Sequence, residues 1–110
     1  MTAQPESRLS RKIAAEVRAR GGFVFKVHGG PTMMAGLPDL VVCYRGCFIG
    51  LETKMPDGRV SAVQGLRHEQ IRHAGGVCAV VRSVEEAMVI LDRVDQQHDI
   101  EDPTGQLSGL

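Results

Sequence analysis

Asp39, Glu52 and Lys54 are the residues of this chain whose types and spacing could carry out a reaction. They bracket two apolar stretches, DLVVCY (39–44) and CFIGLETK (47–54), joined by Arg45-Gly46. If Arg45-Gly46 is a two-residue hairpin loop, Tyr44 pairs with Cys47 and, counting outward, Asp39 pairs with Glu52. Directly opposed residues point to one face, with Cβ atoms about 4.5–5.5 Å apart. Lys54 lies two residues beyond Glu52, so the strand's period of two returns it to that face. Arg-Gly is not a preferred hairpin loop, which leaves a one-residue shift or a bulge open. Two carboxylates so opposed repel each other. A neighbouring ammonium offsets part of that repulsion, and a hard divalent cation, Mg²⁺ or Mn²⁺, offsets it fully. Such ions choose carboxylate oxygens, completed by waters and a phosphate. A metal held this way lowers the pKa of a bound water and polarises a phosphoryl oxygen. Lys54 can then steady the nucleophile or the developing negative charge. The chemistry indicated is metal-assisted attack at a phosphoryl group, although the spacing alone is equally compatible with a salt-bridge cluster on a sheet edge.

The elements that must position these residues follow from periodicity. Leu9, Ile13 and Val17 recur at helical spacing, so a helix runs over 6–20 and stops at Gly21-Gly22. FVFKVH (23–28) alternates as a strand, and residues 29–38, rich in Gly and Pro, form a loop. The two strands of the hairpin come next, then a loop over 55–59. Ser61 with Gln64 three residues later has the form of a capping box. It opens a helix that runs to about residue 74, where Gly75-Gly76 closes it. Residues 77–82 read as a short buried strand. Ser83 with Glu86 is a second capping box, opening a helix to about residue 94. The order αβββαβα, a three-strand meander followed by a helix crossover, predicts a mixed four-stranded sheet flanked by helices, an α/β fold of the mixed α+β kind. Residues 1–94 form one domain, and residues 95–110, acidic and without periodicity, are expected to be a flexible tail.

Composition narrows the function classes. The 110 residues suffice for one core. No apolar run is long enough to span a membrane, and the N-terminus lacks the apolar segment of a signal peptide. Three cysteines, Cys43, Cys47 and Cys78, form no even framework, which points to a reducing interior and a cytoplasmic setting. Cys43 and Cys47 flank the turn, but no second pair of ligands follows at zinc spacing. Gly29-Gly30 is not followed by the GK[ST] of a phosphate loop, so no small-molecule cofactor is expected. His68 and His73, five apart, have the wrong helical spacing to share a metal. The formal net charge is zero but unevenly spread. Residues 1–82 carry 12 basic against 6 acidic groups, a balance of +6, and the remainder carries 1 against 7. A basic body can face phosphates despite an acidic end. Lys26, Arg45, Arg59 and Arg67 lie near the motif in sequence and are candidate phosphate contacts, as is His28 beside the glycine loop. One Tyr, three Phe and no Trp do not indicate base stacking on single strands.

The pattern Gly36-Leu37-Pro38-Asp39-Leu40, then Glu52-Thr53-Lys54, then Ser61-x-x-Gln64, then Gly75-Gly76 with a Val-rich strand resembles the VRR-NUC branch of the PD-(D/E)xK nucleases, over about residues 6–94. That branch includes stand-alone phage and bacterial enzymes, for which the location would be the bacterial host cytoplasm. The resemblance implies metal ligation by Asp39 and Glu52, completed by the backbone carbonyl of Thr53, with Lys54 as the catalytic lysine. It also implies that Gln64 contacts the site or the scissile phosphate, and that the first helix adds a glutamate. Glu6 and Glu16 both project near that helix's apolar face, and Glu6 is favoured because such acids tend to sit near the helix start. By the same resemblance the chain is a homodimeric, Mg²⁺-dependent endodeoxyribonuclease acting on branched DNA, four-way (Holliday) junctions above all. A non-catalytic nucleic-acid-binding or assembly protein of the same fold, or an RNA-cleaving nuclease, is the alternative.

Overall fold

Two pairs of adjacent glycines set where the helices stop. The computed structural model describes residues 5–101. Its first helix, α1 (Pro5–Ala19), buries Ser10, Ile13, Ala14 and Val17 on one stripe. It ends as Gly21 turns to φ +89°, with Gly22 N–H donating to the Val17 carbonyl and Gly21 N–H to that of Arg18, both at 2.9 Å. Helix α2 (Ala62–His73) ends alike. Gly75 takes φ +99°, and the N–H groups of Gly75 and Gly76 meet the carbonyls of Arg72 and Ile71, each at 3.0 Å. Both are Schellman closures, which need a left-handed residue that only glycine adopts without strain. At its start α2 has the predicted capping box, with Ser61 accepting from Gln64 N–H and Gln64 reaching back to Ser61 N–H.

The sheet has the predicted mixed topology. Strands β1 (Phe23–Lys26), β2 (Leu40–Tyr44), β3 (Cys47–Thr53) and β4 (Val77–Val81) lie in the order β1-β2-β3-β4. The first three pair antiparallel, and β4 returns parallel to β3 after the α2 crossover. Helix α1 and the last helix, α3 (Val84–Glu101), cover one face with Ile13, Val17, Val42, Ile49, Leu51, Val81 and Leu91 in a single core. Burying each such side chain contributes about 1.5–3 kcal/mol. Central β3 is enclosed from Ile49 through Thr53, which makes it the strand best able to hold a charged group away from water.

The hairpin register is the one derived from the two-residue loop. Tyr44 pairs with Cys47 and Leu40 with Leu51, with no shift or bulge, so Asp39 stands opposite Glu52. Arg45 and Gly46 take φ +54° and +76°, the two positive values of a type I′ turn. Arginine adopts this at some cost, and its Nε donates to Asp95 Oδ1 at 3.0 Å in return. Cys43 pairs with Phe48 and Cys47 with Tyr44, so the two cysteines point to opposite faces and do not form a zinc pair.

The last helix differs from expectation. It was predicted to end near residue 94 and continues to Glu101. The reason is Asp95, which binds Tyr44 Oη at 2.8 Å, Arg20 at 2.8 Å and Arg45 at 3.0 Å. The apolar stripe thins after Val94, but these bonds dock the next turns onto the body. Residues 95–101 therefore belong to the folded domain. The rest of the predicted tail, residues 102–110, lies outside the described residues. Among the described residues no helix is long and apolar enough to cross a membrane.

Candidate active site

Asp39 is fixed from three sides. Pro38 is buried against Gly50, where a Cβ would lie 2.6 Å from the proline Cγ, so glycine there admits the ring. Val27 N–H donates to the Asp39 carbonyl at 2.8 Å, tying the turn to the end of β1. On the side chain, Oδ2 accepts from both the backbone N–H and the hydroxyl of Thr53, each at 2.8 Å. Thr53 Oγ1 in turn lies 2.9 Å from the buried Ser10 hydroxyl of α1. Asp39 is thus oriented by a chain from α1 through β3.

Glu52 is 1% exposed and crosses to the α2 side of the sheet. Gln64 Nε2 donates to its Oε2 at 3.3 Å, and Lys54 Nζ lies 3.9 Å from the same oxygen. Its Oε1 lies 3.6 Å from Nε2 of His68, and neither of these buried atoms has a hydrogen-bond partner. Burial, then the neighbouring Asp39 carboxyl, push the Glu52 carboxyl up to about 8, against a smaller opposing pull from Lys54. Without a cation Glu52 therefore keeps a proton near neutral pH. Burial holds the His68 imidazole below its ordinary range, so it is neutral there.

Around this pair the structure gathers most of the predicted residues. Glu6, Lys26, Asp39, Thr53 and Met55 line a depression of about 370 Å³. A second, of about 350 Å³, is formed by the glycine-rich loop with Met33 and Met34, and Asp39 lines both. His28 is exposed where β1 enters that loop, and Arg59 is exposed in the loop after Lys54. Glu16 lies ten residues beyond Glu6, roughly 15 Å along α1, and lines neither depression. Glu6→Gln is accordingly expected to weaken divalent-metal binding about tenfold in calorimetry, and Glu16→Gln to leave it unchanged. The reverse order would move the helix-borne acid to Glu16.

Two predicted phosphate contacts are placed otherwise. Arg45 sits at the hairpin turn, a strand's length from Asp39 (roughly 20 Å over six residues at about 3.3 Å each). It is tied to Asp95 and His98, and lines a separate hollow of about 500 Å³ with Arg93, Gln97 and Glu101. Arg67 bonds the Ala35 carbonyl at 2.8 Å and Gln70 at 3.0 Å, so it pins the glycine loop to α2. Sequence reasoning missed three supports. Ser10 anchors Thr53. Arg82 clamps the loop after Lys54 through the carbonyls of Met55 and Gly58, at 2.7 and 3.0 Å. His68 was weighed against His73, whereas its relevant neighbour is Gln64, four residues earlier on the same helical face.

Among the described residues no three His, Cys, Asp or Glu side chains converge closely enough to hold an ion by themselves. Mg²⁺ is commonly bound through one or two carboxylates, with waters and a phosphate filling the remaining positions. Two opposed carboxyls, one of them forced to keep a proton, form a donor set that a hard cation would relieve.

No protein-family model matches the chain, and no curated protein matches it. Solved structures do. A VRR_NUC domain is 27% identical over 82% of this chain and 97% of its own, with a TM-score of 0.70. A second VRR_NUC domain protein is 16% identical over 89% of this chain and 90% of its own, with a TM-score of 0.62. A Holliday junction resolvase, Hjc of Archaeoglobus fulgidus, is 21% identical over 70% of this chain and 67% of its own, with a TM-score of 0.56.

Proposed function

We propose that the chain, which shares the fold of VRR_NUC domains, is a VRR-NUC nuclease: a metal-dependent, structure-selective DNA endonuclease that hydrolyses phosphodiester bonds in branched DNA. The observation that carries this reading is the hairpin end. There, Asp39 and Glu52 oppose each other with Lys54 3.9 Å from the Glu52 carboxylate, under two open depressions that meet at Asp39. Asp39 and Glu52 would hold Mg²⁺ or Mn²⁺, with the Thr53 carbonyl and Glu6 as further oxygen donors. When bound, the ion supplies a more acidic water and a polarised phosphoryl oxygen. Thr53 occupies Asp39 Oδ2 with two donors, which leaves Oδ1 to meet the ion. Gln64, locked by its own capping bond to Ser61, holds Glu52 Oε2. Lys54 counters the negative charge that accumulates as the phosphate is attacked. Lys26 lines the Asp39 depression, and it would meet backbone phosphates together with the exposed His28 and Arg59. Binding through them should weaken steeply with salt and read shape more than bases.

Resolving a four-way junction needs two symmetric cuts, which a two-fold dimer supplies. The Hjc neighbour is named for that reaction. The surface offered for a second copy is the part of the α2 side of the sheet, towards β1, that α2 leaves exposed. There Phe23, Cys43 and Phe48 form one register row, with Phe23 67% and Phe48 46% exposed and Phe25 beside them. An apolar patch of this kind on an otherwise charged surface marks an interface. Sedimentation at micromolar protein is expected to give a dimer, and the Phe23→Ser, Phe48→Ser double variant a folded monomer. Cleavage of duplex, flap, fork, four-way junction and RNA substrates tests the specificity, with the junction expected to be cut fastest in paired nicks. A monomer that nicks linear duplex as readily as junctions would leave only the nuclease, and preferential RNA cleavage would replace the substrate class.

A further inference from the structure

Helix α2 presents Gln64 and His68 one turn apart, toward the two oxygens of the same buried carboxylate. Gln64 accounts for Oε2. Its own Oε1 is taken by Ser61 N–H at 2.9 Å, so its amide N–H₂ is turned to Glu52. Oε1 of Glu52 and Nε2 of His68 are both sealed from solvent, 3.6 Å apart, and unpartnered. That separation exceeds a hydrogen bond, but a movement of roughly half an ångström brings it into range. No other donor or acceptor serves either atom, and buried polar atoms are seldom left unpaired.

Resting on the nuclease reading above, we propose that His68 is the positioning residue for Glu52, its Nε2–H holding Oε1 as Gln64 holds Oε2, so that the carboxylate plane is fixed toward Asp39. The last torsion of a glutamate is broad when nothing holds it. Two donors from one capped helix, one per oxygen, remove that freedom. The helix is itself anchored, since the capping box fixes its first turn and Arg72 Nε bonds the Cys78 carbonyl of β4 at 3.1 Å near its last. His68 therefore acts through Glu52 and not on the substrate, and its 2% exposure leaves it no route to DNA.

The test uses His68→Leu, which keeps apolar bulk without a donor, and His68→Gln, whose amide nitrogen can reach where Nε2 stands. Mg²⁺ or Mn²⁺ affinity is read by calorimetry, cleavage as separate kcat and KM, and folding as the metal-free melting temperature. His68→Leu is expected to fold, to bind metal about 10- to 100-fold more weakly and to lose kcat with KM for DNA unchanged. His68→Gln is expected to recover most of both. A Leu variant with wild-type metal affinity, or a Gln variant no better than the Leu variant, would overturn the proposal in favour of simple packing. If the wild-type protein cleaves no nucleic acid, the nuclease reading fails on its own. Metal affinity and the non-additivity of His68→Leu with Glu52→Leu in metal-free melting still decide the His68–Glu52 bond. Additive melting shifts together with unaltered metal affinity would sink it.

Discussion

Asp39→Asn is expected to lower cleavage by at least about a thousandfold, with metal affinity falling alongside, while the protein remains folded. Asparagine is nearly isosteric, and its amide oxygen can still accept from Thr53 N–H and Oγ1 at the 2.8 Å positions. What it removes is the one carboxylate that is both oriented by β3 and open to the two depressions. Lys54→Ala should separate the steps. Its ammonium opposes Glu52 from 3.9 Å and is not a metal ligand. Cleavage should therefore drop by about a hundredfold or more, with metal affinity changed much less. Equal losses of affinity in the two variants would assign Lys54 to holding the carboxylates and not to the reaction.

The second large effect is on stability and pH. The folded protein holds the Glu52 carboxyl at about 8, well above its ordinary 4.5, through burial first and then Asp39. The fold thus favours the protonated form. This contribution is fully present below about pH 4.5, where folded and unfolded chains both keep the proton, and is lost as pH rises through about 8. Within that window the unfolded chain binds fewer protons, so metal-free stability should fall by up to about 1.4 kcal/mol per pH unit, or a few kcal/mol in all. Glu52→Gln cannot ionise. Its stability relative to wild type should rise across the window, so that the inactive variant melts higher at pH 8 without metal. Added Mg²⁺ should reverse the order, because the cation replaces the proton on Glu52 and its binding strengthens as pH approaches 8. Parallel melting curves for the two proteins from pH 5 to 8.5 would mean that Glu52 is not held protonated in the fold.

The hairpin was legible because two simple rules, a two-residue loop and a period of two, compound without error over the five residue pairs from Tyr44–Cys47 to Leu40–Leu51, which puts Asp39 and Glu52 next in line. The glycine pairs and the Ser61–Gln64 box were legible because each satisfies backbone groups that a helix end leaves open. At the second predicted box Ser83 accepts from Glu86 N–H, but Glu86 reaches back to Arg82 N–H, one residue further than the motif requires. What could not be read was tertiary. Arg45 adjoins the motif in sequence but stands at the other end of the strand. The continuation of α3 past Val94 depends on Asp95 meeting Arg20 and Tyr44, which are 75 and 51 residues away. Glu52 gave no sign of its burial, since a charged residue near a strand end is ordinarily at a wet edge. Only the stacking of helices on both faces encloses it. His68 becomes visible once it is paired with Gln64 at four-residue spacing on the helix that faces β3.

The most direct test is cleavage of a labelled four-way junction by the purified wild-type chain, with Mg²⁺ and with chelator, beside Asp39→Asn prepared in parallel. The expected result is paired strand cuts that require Mg²⁺ and are absent from the Asp39→Asn sample. Cleavage that persists in chelator, or that is equal in the two proteins, would contradict the assignment of Asp39, Glu52 and Lys54 as a metal-dependent nuclease site.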